Sequence, residues 1–206
     1  EVLPPDERAN RLQFFEDKPT AYEAWDVEPQ YQDKVWEAAV NRPLRVMENG
    51  PVRLVLAVTL GYGESVIEQE IVLYAHTPRI DFRHEVDWRA RRTLLKVAFP
   101  VEIRSPRATY EIAFGAIERP THGNTGWDQA RFEVPGHKWA DLSEADYGVS
   151  VLNDCKYGWD IHGHVIRLSL LRSPISPDPV ADQGRQEYTY SFLPHAGDWK
   201  NGTVQA

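Results

Sequence analysis

This sequence predicts an all-β protein, built as a large antiparallel β-sandwich, and three features carry the prediction. Apolar and polar residues alternate with a period of two in segment after segment from about Val35 onward, the mark of half-buried strands. Turn formers such as Asn49-Gly50-Pro51 and Gly61-Tyr62-Gly63 punctuate these segments, and connections this short join antiparallel strands. Helical periodicity is nearly missing: Tyr22 to Trp36 is the single helix-like segment, and a weakly patterned one. Two packed sheets around one core satisfy all three. The expected organisation is one β-sandwich domain over residues 1–206.

The strands follow in order. Leu44 to Glu48 alternates and stops at Asn49-Gly50-Pro51. Val52 to Leu60 resumes as a longer, more buried strand that Gly61-Tyr62-Gly63 breaks, and Ser65 to Ala75 follows. Between Arg79 and Trp88, Ile80, Phe82, His84, Val86 and Trp88 share one face, while Asp81, Arg83, Glu85 and Asp87 share the other. That places His84 in the apolar series, as a core histidine satisfied by hydrogen bonds. Arg89 to Arg92 reads as a solvated turn. Leu94 to Val101 and Ala108 to Phe114 are two further strands, separated by the Ser105-Pro106 bend. Glu118 to Asp128, broken by Pro120, Gly123 and Gly126, reads as a loop closed by Trp127.

Composition narrows the function. A formal net charge of −8 excludes the basic face that nucleic-acid binding requires and offers nothing to anionic membranes. No apolar run is long enough to span a bilayer. The 7 Trp and 9 Tyr suit a packed sandwich, with some free to face a sugar or a partner. Cys155 is the single cysteine, so no intrachain disulfide can form; a reducing, cytoplasmic setting fits this. Cys155 itself reads as a small buried residue. Residues 1–10 are polar and begin without Met, so the chain is expected to be a fragment or a processed product.

The chemistry-bearing residues gather between Arg131 and Leu171, and at that stretch's exit. Arg172 ends an alternating strand and opens a loop stiffened by Pro174, Pro177 and Pro179. Proline fixes φ, so such a loop holds a polar group at small entropic cost. The Arg172 guanidinium can donate paired hydrogen bonds to a polar ligand or form a local ion pair with Asp178 or Asp182. His162-Gly163-His164 resembles a metal pair by letters, but Gly163 signals a turn and no third ligand is near in sequence; no metal site is assigned. His137, Asp141 and His195 are expected to fix loops by hydrogen bonds. Asn201-Gly202-Thr203 has the letters of a glycosylation acceptor and reads as a turn.

Five blocks together carry a resemblance. They are Asn10 to Pro19 (NRLQFFEDKP) with Ala24-Trp25-Asp26-Val27-Glu28; Val86-Asp87-Trp88 with Leu94 to Pro100 (LLKVAFP); Phe114 to Thr121 (FGAIERPT); His137 to Glu144 (HKWADLSE) with Leu152 to Gly158 (LNDCKYG); and Leu168 to Pro174 (LSLLRSP) with Pro177-Asp178-Pro179 and Leu193-Pro194-His195. In this order they resemble the C-terminal β-region of glycoside hydrolase family 38, the retaining α-mannosidases, in the branch holding cytosolic, vacuolar and bacterial members.

The resemblance implies a sandwich like that of galactose mutarotase, attached to a catalytic domain that cleaves α-mannosides. It implies that the nucleophilic Asp and the zinc site lie in N-terminal domains outside this chain, so the isolated chain is expected to be inactive and to hold no cofactor. The implied partners are that catalytic domain and an α-mannoside or oligosaccharide; homo-oligomerisation is compatible with it. Arg172, with Asp178 on its loop, is expected to face the sugar site, exposed where the catalytic domain is missing. Trp25 and Asp26 are expected near the cleft, an aromatic face for sugar C–H groups and a carboxylate for hydroxyls; otherwise Trp25 covers the sandwich edge. The alternatives are a free-standing carbohydrate-binding module and a structural or oligomerisation domain.

Overall fold

Fifteen β-strands make up most of the regular structure among the described residues, 2–202 and 204, of the computed structural model. In chain order they are β1 (Arg11–Glu16), β2 (Val35–Glu37), β3 (Ala39–Asn49), β4 (Arg53–Tyr62), β5 (Ser65–Tyr74), β6 (Ile80–Trp88), β7 (Thr93–Pro100), β8 (Arg107–Ile112), β9 (Gly115–Pro120), β10 (Val134–Pro135), β11 (Trp139–Ser143), β12 (Tyr147–Asn153), β13 (Gly158–His162), β14 (Val165–Arg172) and β15 (Gly184–Ala196). A six-stranded sheet runs β10-β13-β14-β7-β1-β2, and a nine-stranded sheet runs β3-β4-β5-β6-β15-β12-β11-β8-β9. Every registered pair is antiparallel, for example β4 with β5 and β6 with β15. The protein is an all-β sandwich.

The two inner faces interlock through aromatics. Phe99 on β7 stacks on Phe192 of β15 with ring centroids 5.2 Å apart, and Phe14 on β1 stacks towards Trp88 of β6 at 6.1 Å. Each fully buried side chain of this kind contributes about 1.5–3 kcal/mol relative to exposure. Strand β7 is buried at all eight positions. It lies between β1 and β14 in the six-stranded sheet, with Leu95, Val97 and Phe99 in the central core. Leu94, on the opposite face, packs with Phe15 and Tyr31. A strand covered on both faces reads as a near-continuous apolar run, so residues 94–99 do not alternate, and the one polar residue among them, Lys96, is itself buried.

Two hairpins show why glycine falls where it does. Tyr62 pairs with Ser65, so β4 and β5 are joined by Gly63 and Glu64 alone, and Gly63 has φ +57°. His162 pairs with Val165 across Gly163 (φ +58°) and His164. A two-residue hairpin with positive φ at its first position favours glycine there.

Several expectations change. The Tyr22–Trp36 segment is not a helix: it holds one 3-10 turn, Pro29–Asp33, and then β2. Its one buried residue in that turn, Tyr31, docks on the six-stranded sheet, so tertiary packing rather than helical propensity organises it. Strand β4 runs through Gly61 to Tyr62, and β9 extends to Pro120 inside the expected loop. Trp127 sits in a short helix, Gly126–Gln129, whose Thr125 and Asp128 form a capping box. Cys155 is exposed, in the bend after β12, and not buried.

Candidate functional site

The site grows from the end of β1, where Asp17 follows the last paired residue. Asp17 is 2% exposed, and a buried carboxylate needs a cationic partner. Arg172, at the end of β14, supplies it. Its Nε donates to Asp17 Oδ2 at 2.5 Å and its Nη2 to Asp17 Oδ1 at 3.3 Å, a fork that fixes the guanidinium plane. Nη2 also donates to the main-chain carbonyl of Asp26. The Arg172 side chain retains 19% exposure, so part of the guanidinium still faces outward.

The local ion-pair reading of Arg172 needs correction. Its ion-pair partner is Asp17, 155 positions away in the chain, and neither Asp178 nor Asp182. Asp182 takes only the Arg172 backbone N–H, at 3.1 Å. Asp178 caps its own loop, accepting from the Val180 N–H at 2.9 Å, and is not joined to the guanidinium. Nor is Arg172 turned free into solvent: most of its side chain is enclosed by these contacts.

The segment 18–28 forms the opposite side. Trp25 N–H and Asp26 N–H both donate to Tyr22 O, at 2.8 and 2.9 Å, closing a tight turn with Tyr22 at φ +55°. The turn holds Trp25 with 70% of its surface exposed, so the expectation that it covers the sandwich edge is wrong. The Glu28 carboxylate closes the base of the loop through the Thr20 N–H at 2.8 Å. Of the four singled-out residues, Arg172 meets Asp26 through its main-chain carbonyl, Trp25 lies next to Asp26 in the same turn, and Asp178 bonds within its own loop.

Three parts of this corner were not singled out in the sequence. Asp17 sat inside the NRLQFFEDKP block without a signal of its own. Glu23 accepts from Arg92 Nη2 at 2.6 Å and from the Ile175 N–H at 3.0 Å; the Ile175 bond foremost, with Arg92, holds its carboxyl below the usual range. Arg92, expected in a solvated turn, is a hub. Its N–H donates to Ser173 O and its carbonyl accepts from the Asp17 N–H, at 2.7 and 2.8 Å.

Beneath the same segment lies a buried ionic cluster. Lys96 on β7 is fully buried, bonds Glu133 and lies 3.7 Å from Asp160. The Tyr31 ring lies 5.1 Å from its ammonium. Burial opposes the charge, but Glu133 and Asp160 outweigh it and raise the Lys96 pKa. A lone lysine in the apolar run LLKVAFP was the available sequence signal for this cluster.

The histidines separate. His162 lies 3.5 Å from Asp160, whereas His164 meets Glu7 at 3.0 Å. Among the described residues, no group of three or more His, Cys, Asp or Glu is arranged to hold a metal ion. His84 is a buried core histidine, 2.7 Å from Gln69 Nε2. Asp141 and His195 bond each other, while the His137 ring packs edge-on against Tyr157. Of the Asn201-Gly202-Thr203 triplet, Thr203 lies outside the described residues.

Two antiparallel sheets with this topology define the class as an all-β sandwich domain. The crystal structure of an alpha-mannosidase from Enterococcus faecalis superposes with a TM-score of 0.77 over 92% of this chain and 26% of that one, at 12% identity, a likeness of fold alone. A family model described as the glycosyl hydrolases family 38 C-terminal domain matches residues 1–180, and the chain belongs to that family. Alpha-mannosidase G of Dictyostelium discoideum is 45% identical over 200 residues, covering 95% of this chain and 18% of that protein. An alpha-mannosidase of Saccharomyces cerevisiae is 42% identical over 205 residues, covering 96% and 19% respectively. The chain thus spans about a fifth of the length of these curated relatives.

Proposed function

We propose that this chain, acting as one domain over residues 1–206, is the C-terminal β-domain of a retaining, zinc-dependent α-mannosidase. It supports the catalytic domain and lends the sugar cleft a wall around Arg172. The observation that carries the reading is the fixed guanidinium of Arg172, forked onto buried Asp17 and bonded to the main-chain carbonyl of Asp26, the residue after exposed Trp25. A guanidinium oriented in advance can donate to sugar hydroxyls without first losing rotamer freedom, and an exposed indole can stack on a sugar's C–H face. Asp178 is the weaker member of the set, placed on the same loop but away from the guanidinium.

Retaining hydrolysis requires a nucleophilic carboxylate and an acid/base carboxyl roughly 5–5.5 Å apart. In this reading those carboxyls belong to the catalytic domain. The reading assigns zinc to that domain too; in this chain His162 and His164 engage separate acidic partners. The partners are that domain and an α-mannoside or oligosaccharide, with self-association a further element of the reading. A cytoplasmic location accords with a single, exposed thiol.

Two assays test this. The isolated chain with added zinc should not turn over an activated aryl α-mannoside; turnover above a buffer blank overturns the reading. In the full-length enzyme, Arg172→Ala should impair mannoside hydrolysis, and because it strands the buried Asp17 carboxylate it should also lower the thermal midpoint. An unimpaired enzyme counts against the wall.

A further inference from the structure

Trp25 is exposed over most of its surface, so packing does not set the position of its ring. That position is inherited from the backbone of the 20–26 turn, and the turn is conformationally costly. Tyr22 takes a left-handed conformation at φ +55°, and Arg92, against which the turn is held, another at φ +49°. Non-glycine residues persist in that region only where surrounding contacts hold them. Glu23 provides such contacts, tying the turn to Arg92 and to the Ile175 N–H.

These bonds close a circuit. Asp17 forks onto Arg172, which donates to the Asp26 carbonyl. Three residues earlier, Glu23 binds Arg92, whose carbonyl returns to the Asp17 N–H. A closed circuit fixes the separation of its members, while an open chain of the same bonds would leave the turn able to swing. Without Glu23 the circuit is open.

We infer that Glu23 is a positioning residue for this corner, holding the Trp25 turn against the loop after Arg172 so that indole and guanidinium meet one sugar at a fixed separation. The inference rests on the sugar-wall reading of Arg172 and adds to it the group that sets the wall's geometry. Glu23 touches no substrate itself; it acts through Trp25.

The test uses the full-length enzyme and an aryl α-mannoside. Glu23→Ala is expected to raise KM about tenfold while kcat changes less than about twofold, as for a binding interaction shared by ground and transition states. Glu23→Gln keeps an acceptor for the Ile175 N–H and should lose less. In a Trp25→Ala background, Glu23→Ala should add less than about twofold, because the ring it positions is gone. An undiminished KM effect in that background, or a fall in thermal midpoint with KM unchanged, overturns the inference. Should Glu23→Ala fail to fold, Glu23→Gln, with and without Trp25→Ala, decides by the same criterion. Arg172→Ala separates the two levels: unchanged kinetics there sink the wall and this inference together. Impaired kinetics there, with Glu23 variants like wild type, sink this inference alone.

Discussion

His195 Nε2 lies 2.7 Å from Asp141 Oδ2, and Ser150 Oγ donates to the same oxygen at 2.6 Å. The three side chains come from β15, β11 and β12, adjacent strands of the nine-stranded sheet. Both hydroxyl and imidazole turn towards the carboxylate, so they clamp the strands together rather than arming a nucleophile.

This pair predicts an alkaline loss of stability. Burial alone disfavours the imidazolium, but the hydrogen bond and charge of Asp141 outweigh it, and the His195 pKa stands above its ordinary value. The stabilisation is therefore fully present below the unfolded value of about 6.5 and is lost as pH rises through the raised folded value. Urea midpoints should fall as pH rises from about 6.5 through the raised folded value, and His195→Gln should flatten that slope. A slope in His195→Gln as steep as in the wild type excludes the pair as its source.

His84 predicts the opposite dependence on the acid side. It stacks between Tyr188 and Tyr190, at 4.8 Å from each, and burial depresses its pKa to about 3. Its contribution is present above about pH 6.5 and is lost as pH falls towards the folded value. His84→Phe should cost about 1–3 kcal/mol at neutral pH, because Gln69 Nε2 loses its nearest partner and keeps only the Tyr190 hydroxyl at 3.5 Å. It should also reduce acid sensitivity; equal acid sensitivity in variant and wild type would falsify this assignment.

Removing Lys96 should be severe. Lys96→Met strands Glu133 in the interior, leaves Asp160 with Arg167 as its cation at 3.3 Å, and is expected to cost about 3–5 kcal/mol in chemical denaturation. Glu133 already has a raised pKa from burial, so Lys96→Met combined with Glu133→Leu should recover part of the loss. A double variant less stable than the single one would contradict the ionic account.

Gly136→Ala tests the packing of β10. A Cβ there would lie 2.7 Å from Trp159 Cδ1, and Trp159 is fully buried. The expected cost is about 1–3 kcal/mol, since the indole has nowhere to move. A thermal midpoint equal to that of wild type would show that the ring can yield.

Strands β4 to β7 were legible because their faces are set locally: alternation appears where one face is wet, and an apolar run where both are covered. The Tyr22–Trp36 segment misled because its spacing of Tyr, Trp and Val loosely fits a helix, while Tyr31 is captured by the sheet beneath it. Cys155 misled for the related reason that its letters do not reveal a bend.

For the site, Arg172, Trp25 and Asp26 could be named from their blocks and from the proline-braced loop. Their geometry could not. Asp17 and Arg172 are 155 positions apart, and Glu23 meets Ile175 across 152. The sequence by itself determined the all-β class, the main strands and the family resemblance, because these depend on neighbours one to four residues away or on ordered blocks. Only the tertiary structure decided which carboxylate holds the guanidinium and which clamps the Trp25 turn. Those pairings depend on how β1, β7 and β14 lie side by side, and a buried charge takes whichever partner the sheet brings within reach.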